Sequence, residues 1–104
     1  MVLNVTKYNI HPDKVELFQA WVKKAIPRIL ALPGVVEFRA YRPLSGAWQV
    51  VTTVEFSDLN AWSKSASTEE YTRILDELHT LAVDVLVDVW GPSPVVPVPL
   101  KPGT

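Results

Sequence analysis

Four stretches of this 104-residue chain alternate residue types with a two-residue period, and helix-period stretches separate them in the order strand, helix, strand, strand, helix, strand. Val2 to Ile10 is the first strand, with Leu3 and Val5 aimed one way and Val2, Asn4, Thr6 and Tyr8 the other. Pro12 ends it, and Asp13 with Glu16 has the spacing of a capping box that opens a helix. The stripe Val15, Phe18, Val22, Ala25 and Ile29, flanked by Trp21 and Ile26, faces a sheet. Pro27 removes one helical hydrogen bond, so the helix kinks or restarts there. Pro33 and Gly34 stop it, and Val35 to Leu44 then sets Val36, Phe38 and Ala40 against Glu37, Arg39 and Tyr41. A turn at Pro43, Ser45 and Gly46 joins that strand to Trp48–Phe56 as a hairpin. Ser57 caps a short helical turn through Trp62, and Ser67 with Glu70 opens the last long helix, whose stripe runs from Tyr71 through Ile74, Leu75, Leu78 and Leu81 to Ala82. A carboxylate in that stripe would be buried unpaired, so the helix ends before Asp84. Val83, Val85, Val87 and Val89 alternate with Asp84, Leu86, Asp88 and Trp90 as the fourth strand.

This order specifies an α+β, ferredoxin-like β-α-β-β-α-β domain, an antiparallel four-stranded sheet with its helices on one face. Residues 1–91 form the domain, and 92–104 are a proline-rich C-terminal arm. The arm is too apolar at Val95, Val96, Val98 and Leu100 for a freely solvated tail, and Pro97 and Pro99 exclude a central strand. It is expected to dock along a sheet edge by crossing onto a partner subunit, with packing on its own chain as the alternative. The chain is 48% hydrophobic, enough for one core, and a domain this small buries only roughly 60–70% of its unfolded surface, so pairing would help it.

The helix-free face then carries the functional expectation. Strand alternation puts Leu3, Val5, Phe38, Val50, Val54, Val85 and Val87 under the helices, and Asn4, Tyr8, Arg39, Tyr41, Gln49, Asp84, Leu86, Asp88 and Trp90 on the open side. That mixture is too apolar for water and too polar for a dry interface. It predicts a homodimer meeting through the open sheet face around a partly polar cavity for a small aromatic ligand, the alternative being a wet interface without a guest. The ligand-binding candidates are Tyr8, Arg39, Tyr41, Gln49, Trp62, Asp84 and Trp90. Asp84 and Asp88, four strand residues and roughly 13 Å apart, are too far for a shared-proton dyad. Pairing with Arg39 or with a cation across the interface is the simpler account of both, with a general-base role as the alternative.

The order of elements, the Pro33–Gly34 turn into the second strand, and the run Val54, Glu55, Phe56, Ser57 followed by Ala61, Trp62 and Ser63 resemble the antibiotic-biosynthesis-monooxygenase-like family over about residues 1–91. The resemblance implies a dimeric α/β barrel, two sheets face to face, and cofactor-independent oxygenation of aromatic polyketides or quinols. It also implies roles for a tryptophan and a strand-one asparagine, which here are Trp62 and Asn4. With Arg39 these are the catalytic candidates. Haem-degrading members carry a histidine where this chain reads Tyr71, Thr72 and Arg73, which argues against haem.

No cofactor is called for, since Walker-type, dinucleotide-binding and serine-nucleophile patterns are absent. No metal is expected either, because His11 and His79 stand alone and cysteine is missing. A formal charge of -1 argues against nucleic acid and anionic membranes, and the fold's RNA-binding signature is missing from the third strand. The cytoplasm is the expected location. Two other functions fit the same residues: a non-catalytic binding or interaction module, and a polyketide cyclase or isomerase using Asp84, Asp88 or Glu55 as acid or base.

Overall fold

A computed structural model describes residues 1–103, so the last residue of the predicted arm lies outside the described residues. The elements are β1 (Val2–Ile10), a 3-10 turn (Pro12–Lys14), α1 (Val15–Leu30), β2 (Val35–Tyr41), β3 (Val50–Phe56), α2 (Leu59–Ala66), α3 (Glu69–Leu81) and β4 (Ala82–Trp90). The strands form one antiparallel sheet in the order β2-β3-β1-β4, the expected ferredoxin-like topology with a further helix, α2, before the last long one. No helix among the described residues is long and apolar enough to cross a membrane.

Each helix start sits beside the expected one. The Asp13–Glu16 box does not form. The His11 Nδ1 instead accepts from the Asp13 amide, and the 3-10 turn leads into α1. Asp58, not Ser57, caps α2 by accepting from the Ala61 amide at 2.8 Å, and Thr68, not Ser67, caps α3 through the Tyr71 amide. In both cases neighbouring hydroxyl or carboxylate side chains compete, and the winner is the one whose oxygen reaches the third amide of the helix. α1 runs unbroken through Pro27. α3 ends at Leu81, ahead of Asp84 as expected.

The phase of β1 is the main correction. Register pairs Asn4 with Val54 and Val89, and Val5 with Thr53 and Asp88. Partners across an antiparallel pair share a face, so Val2, Asn4, Thr6 and Tyr8 lie under the helices and Leu3, Val5 and Lys7 lie on the open side, the reverse of the expectation. Both rows of this strand carry apolar residues, so its period is legible but its phase is not. A second slip occurs in β4, where Asp84 and Val85 together face Tyr8 between the pairs Lys7–Leu86 and Asn9–Val83. The extra residue is a β-bulge, and Asp84 adopts φ 56°, a left-handed conformation that an aspartate tolerates better than a branched residue. The bulge turns Val83 to the open side instead of keeping it in line with Val85.

The densest packing joins Tyr8, Phe18, Leu78, Leu81 and Ala82 beneath α1 and α3, with Tyr8 edge-on to Phe18 at 5.7 Å between ring centroids. Arg28 holds the two helices together on their outer side. It donates to both Glu77 oxygens, at 2.7 and 3.0 Å, and to Glu70 at 2.7 Å, while the Trp21 indole donates to Glu77 at 2.7 Å. Beyond Trp90 the arm has no regular structure and leaves Val95 85%, Val98 62% and Leu100 70% exposed.

Candidate functional site

Because β1 presents Asn4, Thr6 and Tyr8 to the helices, a cavity of about 280 Å³ lies between sheet and helices rather than on the open face. Its floor includes Phe38, Val50 and Val54, and its roof is built by Phe18, Ala25 and Ile29 of α1 with Ile74, Leu75 and Leu78 of α3. On the β2 side the lining residues Ile26, Phe38, Ala40 and Thr52 keep surface in water, whereas Asn4, Tyr8, Phe18 and Ala25 are buried; the mouth is on that side. The volume falls just under the range of drug-sized pockets. No acidic, basic or imidazole side chain lines it, and the polar groups are Asn4, Thr6, Tyr8, Thr52 and Tyr71.

Asn4 is the organised part of this site. It is 5% exposed, and its Oδ1 accepts from the Trp62 indole at 3.0 Å and from the Tyr71 hydroxyl at 3.1 Å. An indole N–H can only donate, so the bond fixes which end of the amide is oxygen. The Nδ2 then faces the other way with two hydrogens and one long contact, 3.5 Å to the Thr6 hydroxyl. A donor is thereby left for a guest. The strand places Asn4, α2 places Trp62 and α3 places Tyr71, so three elements converge on one amide. Asn4 and Trp62 were the pair implied by the family resemblance. Tyr71 read only as a member of an apolar stripe, and its one sequence signal is a phenol at a stripe position that needs a partner when buried.

Electrostatically the cavity is neutral. Burial pushes the Tyr8 phenol up to about 12, and burial also raises Tyr71, opposed by its bond to Asn4. The nearest ion pairs are turned outward in the Arg28 cluster, where Arg28 and then Trp21 hold the Glu77 carboxyl down to about 2.

The other expected site residues disperse. Arg39, Tyr41 and Trp90 do lie on the open face, in a groove with Leu3, Val51 and Glu55. The sheet separates Arg39 from Asn4 and Trp62, so these three cannot act on one molecule. Arg39 pairs with Glu37 of its own strand at 3.0 Å, and Asp88 with Lys7 at 3.8 Å, in place of the expected Arg39–aspartate pairing. Lys7 also lies 5.3 Å from the Trp90 ring centre. Gln49 ties the sheet end, its side chain accepting from the Ile10 amide at 2.7 Å and its own amide donating to Asn9. Asp84 sits on the bulge near the Asn9 amide. Tyr8, expected on the open face, is in the cavity. Among the described residues no group of three or more His, Asp or Glu could hold a metal ion.

Comparison with known proteins gives the same fold from another direction. A crystal structure of an antibiotic biosynthesis monooxygenase superposes with a TM-score of 0.72 at 16% identity, covering 90% of this chain and all of that one. SnoaB, a cofactor-independent oxygenase from Streptomyces nogalater, gives 0.70 at 15% identity over 93% of this chain and 97% of its own. A dabb family protein with a ferredoxin-like fold from Mesorhizobium loti gives 0.77 at 16%, over 88% and 96%. At such identities the likeness is one of fold. No curated protein matches the chain in sequence. The sequence profile described as antibiotic biosynthesis monooxygenase, however, matches residues 1–77, which include β1 with Asn4, the whole of α2 with Trp62, and Tyr71. By that match over most of its length, the chain belongs to the antibiotic biosynthesis monooxygenase family.

Proposed function

We propose that this protein binds a small electron-rich aromatic in the cavity between sheet and helices and oxygenates it without a cofactor. The observation that carries the reading is the Asn4 amide, whose oxygen is held by Trp62 and Tyr71 so that its N–H is left for a chamber that is uncharged and mostly apolar. A donor held in place before reaction stabilises negative charge that develops on a phenolic or enolic oxygen of the guest. With no carboxylate or imidazole lining the chamber, the proton leaves to water at the mouth, and the electron-rich anion itself reduces oxygen. In the overall change a methylene becomes a carbonyl; one oxygen atom enters the product and the other leaves as water with the two hydrogens. The likeness to SnoaB in fold supports the choice of reaction class.

Oxygen uptake with a panel of anthrones and quinols tests this reading. The expected result is uptake that falls about 100- to 1,000-fold in Asn4→Ala, the size of effect typical of losing one such donor. No uptake, with ligand protection against melting retained, would favour a non-catalytic binding module. A cyclase or isomerase using Glu55, Asp84 or Asp88 has less support, because none of these lines the chamber.

The same reading includes a homodimer joined through the open sheet face. Supporting it, that face carries Tyr41 at 50%, Leu86 at 43% and Trp90 at 47% exposure beside Lys7, Arg39 and Glu37. The family resemblance points the same way.

A further inference from the structure

Two polar groups of the cavity, Tyr8 and Thr52, stand outside the Asn4 network, and Tyr8 lies at the far end of its strand. Tyr8 lines the chamber, and although the residue is only 4% exposed its hydroxyl oxygen keeps contact with solvent and has no hydrogen-bond partner among the described residues, the Ser65 hydroxyl being the one buried orphan there. A hydroxyl held in a pocket wall but still reached by solvent bonds to water, and it can exchange that water for an oxygen of a guest. The three polar side chains of β1 stand in a row on this face: Asn4, Thr6 and Tyr8. Four strand residues separate the Cα atoms of the first and last by roughly 13 Å. Between the two ends the walls are apolar except for the uncharged hydroxyls of Thr6 and Thr52 on the floor, from Phe18 and Ala25 above to Val50 and Val54 below. A fixed charge placed there would be desolvated with no counter-ion, since the Arg28, Glu70 and Glu77 side chains satisfy one another on the outer side of α1 and α3.

We infer that the natural guest is an uncharged, elongated aromatic with an oxygen at each end, one oxygen accepting from the Asn4 amide and the other paired with the Tyr8 hydroxyl. This rests on the cavity being the ligand site, and it adds what that reading lacks: a second recognition point and a required spacing of polar groups on the guest. Tyr8 then acts in specificity. It neither needs to ionise nor to touch the carbon that reacts.

The experiment compares three probes of nearly equal shape by titration calorimetry on the full chain: naphthalene, 2-naphthol and 2,6-dihydroxynaphthalene. The expected affinities rise in that order, with the diol bound about three- to tenfold more tightly than the mono-ol, the worth of one net hydrogen bond. In Tyr8→Phe the diol and the mono-ol should bind alike, while 2-naphthol keeps its wild-type affinity. Removing an unpaired hydroxyl leaves no new orphan, so this variant should fold and melt no lower than the parent. The anionic 6-hydroxy-2-naphthoate should bind at least tenfold more weakly than the diol. Equal binding of diol and mono-ol to the parent, a diol advantage that survives Tyr8→Phe, or tight binding of the carboxylate would each overturn the inference while leaving the cavity as the ligand site. Failure of all the probes to bind would remove the cavity reading and the inference together.

Discussion

Asn4 does two jobs that a substitution can separate. Its Oδ1 satisfies the Trp62 N–H and the Tyr71 hydroxyl, and its Nδ2, which makes only a long contact to Thr6, is the donor we propose for a guest. Asn4→Ala leaves a part-buried indole N–H without an acceptor, at a cost of about 1–2 kcal/mol. Thermal melts should show Tm lower by roughly 5–10 °C, and calorimetry with 2-naphthol should show weakened binding. Trp62→Phe removes one donor but keeps the Tyr71 bond, so the amide stays and binding should fall less than in Asn4→Ala. Equal losses in the two would mean that Asn4 contributes only packing. At this scale the sequence was partly legible. Asn4 and Trp62 stood out through family resemblance, but their 3.0 Å contact joins residues 58 positions apart and leaves no local trace. Leu3 and Val5 mislead because aliphatic residues ordinarily mark the inner face of a strand. Here the inner row carries polar Asn4 and Thr6, since that face lines a chamber, and sites with a function are where local rules fail.

Among the elements, α1 and α3 are joined by the most concentrated electrostatics in the molecule. Glu77 has a folded-state pKa depressed to about 2 from 4.5, with Arg28 the main cause, and Glu70 is lowered by the same guanidinium. For a depressed carboxylate the stabilisation is fully present above the unfolded value and is lost as pH falls through the folded one. Urea unfolding should therefore show stability declining between about pH 4.5 and about pH 2. In Glu77→Gln the protein should be less stable at pH 7 and its decline over that window shallower. The side chains are about one-third exposed, so salt should weaken the effect. The helices and strands themselves were legible because their periods are long and regular. The caps were not, each falling one or more residues from the expected position, because adjacent Ser, Thr, Asp and His side chains offer equivalent oxygens or nitrogens and only the path of the chain selects among them.

For the whole molecule, the arm and the open face belong together. The Cα radius of gyration is 15.0 Å, above the roughly 13 Å of a compact domain this long, as a projecting arm requires. Val95, Val98 and Leu100 are largely uncovered by their own chain. If the arm crosses to a second copy, as its apolar, proline-spaced sequence predicts, the full chain should sediment at twice its 11.6 kDa and a truncation after Trp90 should dissociate at lower dilution factors than the parent. Unchanged affinity in the truncated form would place the arm elsewhere. One consequence of the sheet follows for assembly. Because a continuous four-stranded layer stands between the chamber and the surface offered to another copy, every polypeptide holds a whole chamber of its own. If two copies do pair through that face, association should change how long the protein survives without changing how it fills: guests should enter one per polypeptide, each indifferent to its neighbour's occupancy, along a simple hyperbola.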